Sequence, residues 1–173
     1  MILQKNNDTA MKNPARPTRP TSGLSSIYRE MTLPWSLEET FAFFSDARSL
    51  DLLTPSWVGF KILTPTPIEM RAGTLIEYQI RIHGIPVRWR TEITEWDELH
   101  RFVDLQLEGP YQWWHHEHRF ESCKDGTRMI DKVEYRAPLH WISHPLMVTR
   151  DVRRIFDFRA EALKRVFSGK AAG

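Results

Sequence analysis

The sequence predicts an α+β domain in which a curved, seven-stranded antiparallel sheet wraps around one long C-terminal helix, with two short helices after the first strand. Three observations point there. Apolar residues recur at every second position for about 80 residues in the middle of the chain, the period of strands wet on one side. A helix-start signal separates an isolated first strand from that stretch. The last part of the chain returns to a period of 3.6. At 173 residues, 41% hydrophobic and 27% charged, the chain has the size and composition of one ordinary domain.

The elements follow in order. Residues 1–23 hold three Pro, three Thr and no Phe, Trp or Tyr, and are expected to form a disordered extension. They carry a net charge of +3, whereas the other 150 residues sum to −1. The domain is expected over 24–169, with a flexible C-terminus at 170–173. Ile27 to Leu33 reads as a strand, with Ile27, Arg29, Met31 and Leu33 on one face, and Pro34-Trp35 ends it. Ser36 and Glu39 form a capping box that opens a helix through Leu37, Phe41 and Phe44. A second helix is expected from Ser49 to Leu53. Val58, Phe60 and Ile62 then alternate, followed by Ile76, Tyr78, Ile80 and Ile82. A turn at His83-Gly84-Ile85-Pro86 leads to Val87, Trp89, Thr91 and Ile93 on one face, with Arg88, Arg90 and Glu92 between them. Val103, Leu105 and Leu107 make the next strand, broken at Gly109-Pro110. Tyr111 to Phe120 and Thr127 to Tyr135 form a hairpin across Lys124-Asp125-Gly126. Pro138 ends the sheet. From Ser143, the expected N-cap, to Phe167, the residues Val148, Val152, Ile155, Arg159, Ala162 and Val166 share a helical face.

Several function classes are excluded by what is missing. A single cysteine, Cys123, allows neither an internal disulfide nor a cysteine-rich metal site, which suits a cytoplasmic protein. No apolar run reaches the roughly 18–20 residues of a membrane span, and the N-terminus has no secretory h-region. The near-neutral domain lacks the basic face that nucleic-acid binding needs. No phosphate loop, no nucleophile elbow and no paired-cysteine spacing occur, so no cofactor is expected. Seven Trp and nine Phe imply either a dense core or an aromatic-lined cavity.

The chemistry is concentrated in Trp114-x-His116-x-His118-x-Phe120, one face of a strand. On the partner strand Thr127, Met129, Asp131, Val133 and Tyr135 share the matching face, and the short hairpin sets Asp131 opposite His116 or His118. Three readings stand open. The groups satisfy one another in a filled core; they are the polar floor of an apolar pocket; or His116, His118 and Asp131 hold a metal ion. The pocket is the reading adopted, with no metal expected. Tyr78, Trp89, Leu105, Trp114 and Met129 would be its walls, with Tyr135 also on an inner face. His116, His118 and Asp131 would orient the polar end of a ligand. Arg159 interrupts the apolar stripe of the last helix and would reach the cavity or pair with Asp131.

From about residue 26 to 167 the chain resembles the SRPBCC superfamily (START/Bet v 1-like, helix-grip fold), in its bacterial ligand-binding or polyketide cyclase/dehydrase-like branch. The resemblance rests on Leu33-Pro34 leading into Phe41–Phe44 and on Leu53-Thr54-Pro55 ahead of Phe60. More specific are Gly109-Pro110-Tyr111 before the Trp114-His116-His118-Phe120 strand, Gly126-Thr127 leading to Met129, Asp131, Val133 and Tyr135, and Ile155-Phe156-x-Phe158-Arg159. It implies a deep cavity between sheet and helix, usually for hydrophobic ligands, and it implies no particular reaction. The expected function is binding of a small hydrophobic or amphipathic molecule. One alternative is a cyclase/dehydratase-type enzyme with His116 or His118 as general acid/base and Asp131 fixing its tautomer. Another is a lipid- or protein-interaction module in which the basic tail matters. The cysteine and histidine pairs of a Rieske cluster are absent, which sets the oxygenase members aside.

Overall fold

The computed structural model of the protein describes residues 14–137 and 145–168. Strand β1 (Ser25–Leu33) is followed by α1 (Leu37–Ser45), α2 (Ser49–Leu52), a 3-10 turn (Ser56–Val58) and a two-residue strand β2 (Lys61–Ile62). Strands β3 (Leu75–Ile82), β4 (Ile85–Asp97), β5 (Arg101–Glu108), β6 (Trp113–Cys123) and β7 (Gly126–Arg136) lead to the long helix α3 (Pro145–Ser168). The strands form one antiparallel sheet of order β1-β7-β6-β5-β4-β3-β2, the helix-grip arrangement. The capping box is present in full: the Glu39 N–H donates to Ser36 Oγ, and the Ser36 N–H donates to the Glu39 carboxylate. The expected N-cap Ser143, the breaker Pro138, and residues 1–13 and 170–173 lie outside the described residues.

The inner face of the sheet, toward α3, carries two apolar clusters. One gathers Leu33, Phe41, Phe44, Phe102, Phe120, Met129 and Leu163; the other gathers Ile27, Val133, Tyr135, Val152 and Phe156. The buried stripe of α3 runs Val152, Phe156, Arg159, Leu163 and Phe167, rotated from the expected face so that Ile155 and Val166 sit at its edges. Arg159 belongs to that stripe rather than to the surface.

The outer face departs from expectation. In β4 the ladder to β5 shifts between Ile93 and Glu95, one extra residue that bends the strand. In β5 the register sets Asp104 opposite His116, and Leu105 opposite His115 and Glu92. Asp104 therefore points inward, while Val103 and Leu105 point outward, where they are nonetheless 0% and 5% exposed. Two arginines from the stretch 14–23 reach this same side. The Arg16 guanidinium donates twice to the Glu92 carboxylate at 2.8–2.9 Å, and Arg19 donates to Glu134 at 3.0 Å. Guanidinium–carboxylate pairs of this kind are contacts that apolar composition does not register.

Candidate functional site

Between the two apolar clusters, β5, β6 and β7 place four ionisable groups side by side. Cross-strand pairing sets His118 opposite both Asp131 and Phe102, and His116 opposite both Val133 and Asp104. Each imidazole consequently lies between two carboxylates. His116 Nε2 is 3.0 Å from Asp131 Oδ1, and its Nδ1 is 3.3 Å from Asp104 Oδ2. His118 Nδ1 is 2.7 Å from Asp131 Oδ1, too poorly aligned for a hydrogen bond, and its Nε2 is 3.6 Å from Asp104 Oδ2. The two rings are 3.9 Å apart at their centroids. From α3, Arg159 Nη1 reaches Asp131 Oδ2 at 3.5 Å, and its guanidinium lies over the Phe156 ring.

The electrostatics follow from burial set against proximity. Burial alone would lower the His116 pKa, but the Asp104 and Asp131 carboxylates outweigh it and hold it above the usual value. Burial would raise both carboxyl pKa values, yet the two histidines keep Asp104 and Asp131 well below the carboxylate range. The buried Asp131 carboxylate and the partly buried Asp104 carboxylate thus find partners in the two imidazoles and, for Asp131, the Arg159 guanidinium, the pairing that burial of ionisable groups requires.

A cavity of about 110 Å³ opens beside the cluster. Tyr78, Trp89, Trp114, His116, His118 and Arg159 line it, together with Asp104 and apolar residues from α1, α2, β3 and β4. It is several times smaller than the roughly 300–1,000 Å³ of common ligand sites. The rings occupy the rest of the interior: Tyr78 stacks on Trp89 at 5.6 Å, and Trp89 meets Trp114 edge-on at 5.3 Å. Burial pushes the Tyr78 hydroxyl well above its ordinary pKa, so it faces the cavity as a neutral donor. Two further donors there, Arg159 Nε–H and Trp89 Nε1–H, are buried with no hydrogen-bond partner among the described residues.

Of the residues expected to form the site, the structure brings six to the cavity wall: Tyr78, Trp89, Trp114, His116, His118 and Arg159. Four are placed elsewhere. Leu105 is on the outer face, because the β5 register turns the intervening Asp104 inward. Met129 is buried in the cluster around Phe41 and Phe120, beyond the cavity. Tyr135 packs with Val152 and Phe156, and its hydroxyl donates to Thr149 Oγ1 at 3.2 Å. Asp131, 1% exposed, sits behind the histidines and does not line the space. Sequence reasoning missed Asp104. Its only signal was its position two residues from Phe102, and the apolar Val103-x-Leu105-x-Leu107 pattern pointed to the opposite face.

The same exchange alters the metal-ligand set. Asp104, His116 and His118, rather than Asp131, offer ligand atoms that lie within 4.8 Å of one another. Their separations of 3.3 and 3.6 Å compare with roughly 3.3–3.4 Å between ligands held by tetrahedral bonds of about 2.0–2.1 Å. Asp131 would then orient the far nitrogens of both imidazoles.

A family model described as polyketide cyclase / dehydrase and lipid transport matches residues 33–164. Among solved structures, the chain is similar to protein CV1439 of Chromobacterium violaceum, with a TM-score of 0.64, 14% identity, and coverage of 82% of this chain and 96% of that one. It is similar to Ara h 8.0201, with a TM-score of 0.61, 16% identity, and coverage of 85% and 99%. It is also similar to major latex-like protein 151 of Panax ginseng, with a TM-score of 0.57, 9% identity, and coverage of 84% and 99%. At these identities the likeness is one of fold. No curated protein gives a significant match. Among the described residues no helix is long and apolar enough to cross a membrane.

Proposed function

Because the chain belongs to the polyketide cyclase/dehydrase and lipid transport family, within the SRPBCC superfamily, we propose that it binds a small molecule with an apolar, ring-like body and a hydrogen-bond-accepting end in the cavity between sheet and α3. The observation that carries this reading is the pair of buried, partnerless donors, Arg159 Nε–H and Trp89 Nε1–H, on residues that line the cavity with the rings of Tyr78 and Trp114. An unmet buried donor is costly, and a carbonyl or carboxylate oxygen of a ligand would remove that cost. The aromatic faces of Tyr78, Trp89 and Trp114 suit a planar body. The volume favours a single ring over a lipid chain.

The test is a titration, followed by NMR, with benzoate, acetophenone and toluene as probes. Benzoate and acetophenone are expected to bind at least about tenfold more tightly than toluene, the equivalent of roughly 1.4 kcal/mol. Trp89→Phe, which keeps a ring and removes the N–H, should narrow that gap while leaving toluene unchanged. Equal affinities for all three probes would overturn the assignment of a polar end.

One observation favours a second reading. His116 lies at the cavity edge between two carboxylates that raise its pKa, the surroundings of an acid/base group in a cyclase/dehydratase-type enzyme, and proton transfer to a bound carbonyl would require the Asp104 contact to open. Mass spectrometry of protein purified with its native small molecule separates the two readings. An unchanged molecule supports a binder, and chemical change that is lost in His116→Gln supports an enzyme.

A further inference from the structure

Glu92, Leu105, His115 and Glu134 are directly paired neighbours on β4, β5, β6 and β7, one continuous row across the outer face of the sheet. Arg16 grips the carboxylate at one end of this row and Arg19 the carboxylate at the other. The intervening chain must therefore cross β5 and β6, over Leu105 and His115. The crossing segment reads Pro14-Ala15-Arg16-Pro17-Thr18-Arg19-Pro20. Its prolines recur every third residue and so do its arginines. Burial has the same period: Pro14, Pro17 and Pro20 are half-buried, while Ala15, Arg16, Thr18 and Arg19 are exposed. Three residues per turn is the repeat of the polyproline II helix. The prolines share one edge of such a helix and the arginines another.

The dimensions agree. Four strands at about 4.8 Å spacing span roughly 14 Å. Three residues of polyproline II advance roughly 9 Å, and two outstretched arginine side chains cover the remainder. Polyproline II has no internal hydrogen bonds and is already populated in the unfolded chain, so ordering it costs little entropy. A cover of this kind also accounts for the inverted polarity of β5, with Asp104 inside and Val103 and Leu105 outside, and for the burial of Trp113 on the same outer face.

We propose that the outer face of β4–β7 is a recognition site for a polyproline II segment of the form Pro-x-Arg-Pro-x-Arg-Pro, and that residues 14–20 occupy it in cis. The two carboxylates read the arginine spacing, and the apolar strip between them receives the proline edge, the division of labour of other proline-peptide sites. Both carboxylates answer to their arginines: the Arg16 hydrogen bonds hold Glu92, and the Arg19 bond holds Glu134, below the usual carboxylate pKa.

The test is NMR relaxation on the full chain, read at the amides of Ala15, Arg16, Thr18 and Arg19. Their order parameters are expected near the strand value of about 0.85 rather than below about 0.6. Arg16→Glu with Arg19→Glu, two exposed positions outside the sheet, should bring them below that limit without altering the spectrum of the α3 interface. Adding Glu92→Arg and Glu134→Arg should restore them. Mobile amides in the unaltered protein, or charge reversal without effect, would overturn the proposal. A concentration-dependent dimer in light scattering, abolished by the charge reversal, would place the segment on a second copy and overturn the assignment in cis.

Discussion

Strands β5 and β6 have two faces that obey opposite rules. On the inner face Asp104, His116 and His118 are polar or charged groups largely withdrawn from water, and they persist because each has an ionisable partner within 3.6 Å. On the outer face Val103 and Leu105 are apolar groups on the side away from the helix, buried nonetheless, and the proposed crossing of residues 14–20 would account for it. The inner face is held by desolvated ion pairs between two apolar clusters. The outer face is held by half-exposed ion pairs at the ends of an apolar strip. Adjacent residues thus differ in environment because of what lies across from them, and the alternation of the strand does not record it.

The largest effect that can sharpen this contrast is expected from carboxylate removal. Asp131→Ala leaves Arg159 and two imidazoles without their shared partner in the interior and should cost about 3–5 kcal/mol in chemical denaturation. Glu134→Ala on the outer face breaks a pair whose arginine is largely exposed and should cost less than about 1 kcal/mol. Equal losses would erase the distinction between the two faces.

A smaller effect is expected from pH. The folded His116 pKa lies above its ordinary 6.5, so its contribution is complete below about pH 6.5 and is lost as pH rises through the raised value. Asp104 and Asp131 lie below their ordinary 3.8, so their contribution is present above that value and is lost as pH falls toward the depressed ones. Stability, followed as the urea midpoint, should therefore be highest between about pH 4 and 6.5 and should fall on the alkaline side. That alkaline fall should vanish in His116→Gln, whereas Arg16→Ala should keep it. A stability curve rising from pH 6 to 9 would contradict a raised pKa at His116.

The smallest effect is expected from salt. Raising the ionic strength from about 0.05 to about 1 M shortens the screening length from over 10 Å to about 3 Å. The half-exposed Arg16–Glu92 and Arg19–Glu134 pairs should weaken, with a rise in the mobility of residues 15–19. The pH dependence assigned to His116 should change less, because Asp131 is almost fully buried and Asp104 only 16% exposed. Salt that flattens the pH profile while leaving the segment ordered would reverse the comparison.

Much of the architecture was legible in the chain, and for local reasons. Ser36 and Glu39 announce a helix start because a capping box closes within four residues. Lys124-Asp125-Gly126 announces a hairpin because Gly126 takes a positive φ of 124° and a Cβ there would collide with the Leu33 carbonyl. The pairing of His118 with Asp131 follows from that hairpin and from the two-residue period of strands. Arg159 stood out because a charge in an apolar helical stripe must find a partner.

What the amino-acid order determined by itself was every relation of short range: the caps, the turns, the hairpin register, and the presence of imidazoles and a carboxylate on one face. Tertiary structure alone decided which side of β5 faces the helix, since apolar residues occupy both sides of a strand that is covered on both. It also decided that Asp104 completes the cluster while Asp131 withdraws behind it, that packed aromatic rings shrink the expected deep cavity to about 110 Å³, and that Arg16 and Arg19 pair with carboxylates on the outer face. Burial is a property of the whole assembly. A residue's own neighbours in sequence specify the direction in which its side chain points, and only the packed elements specify whether water, an apolar ring or an opposite charge is waiting there.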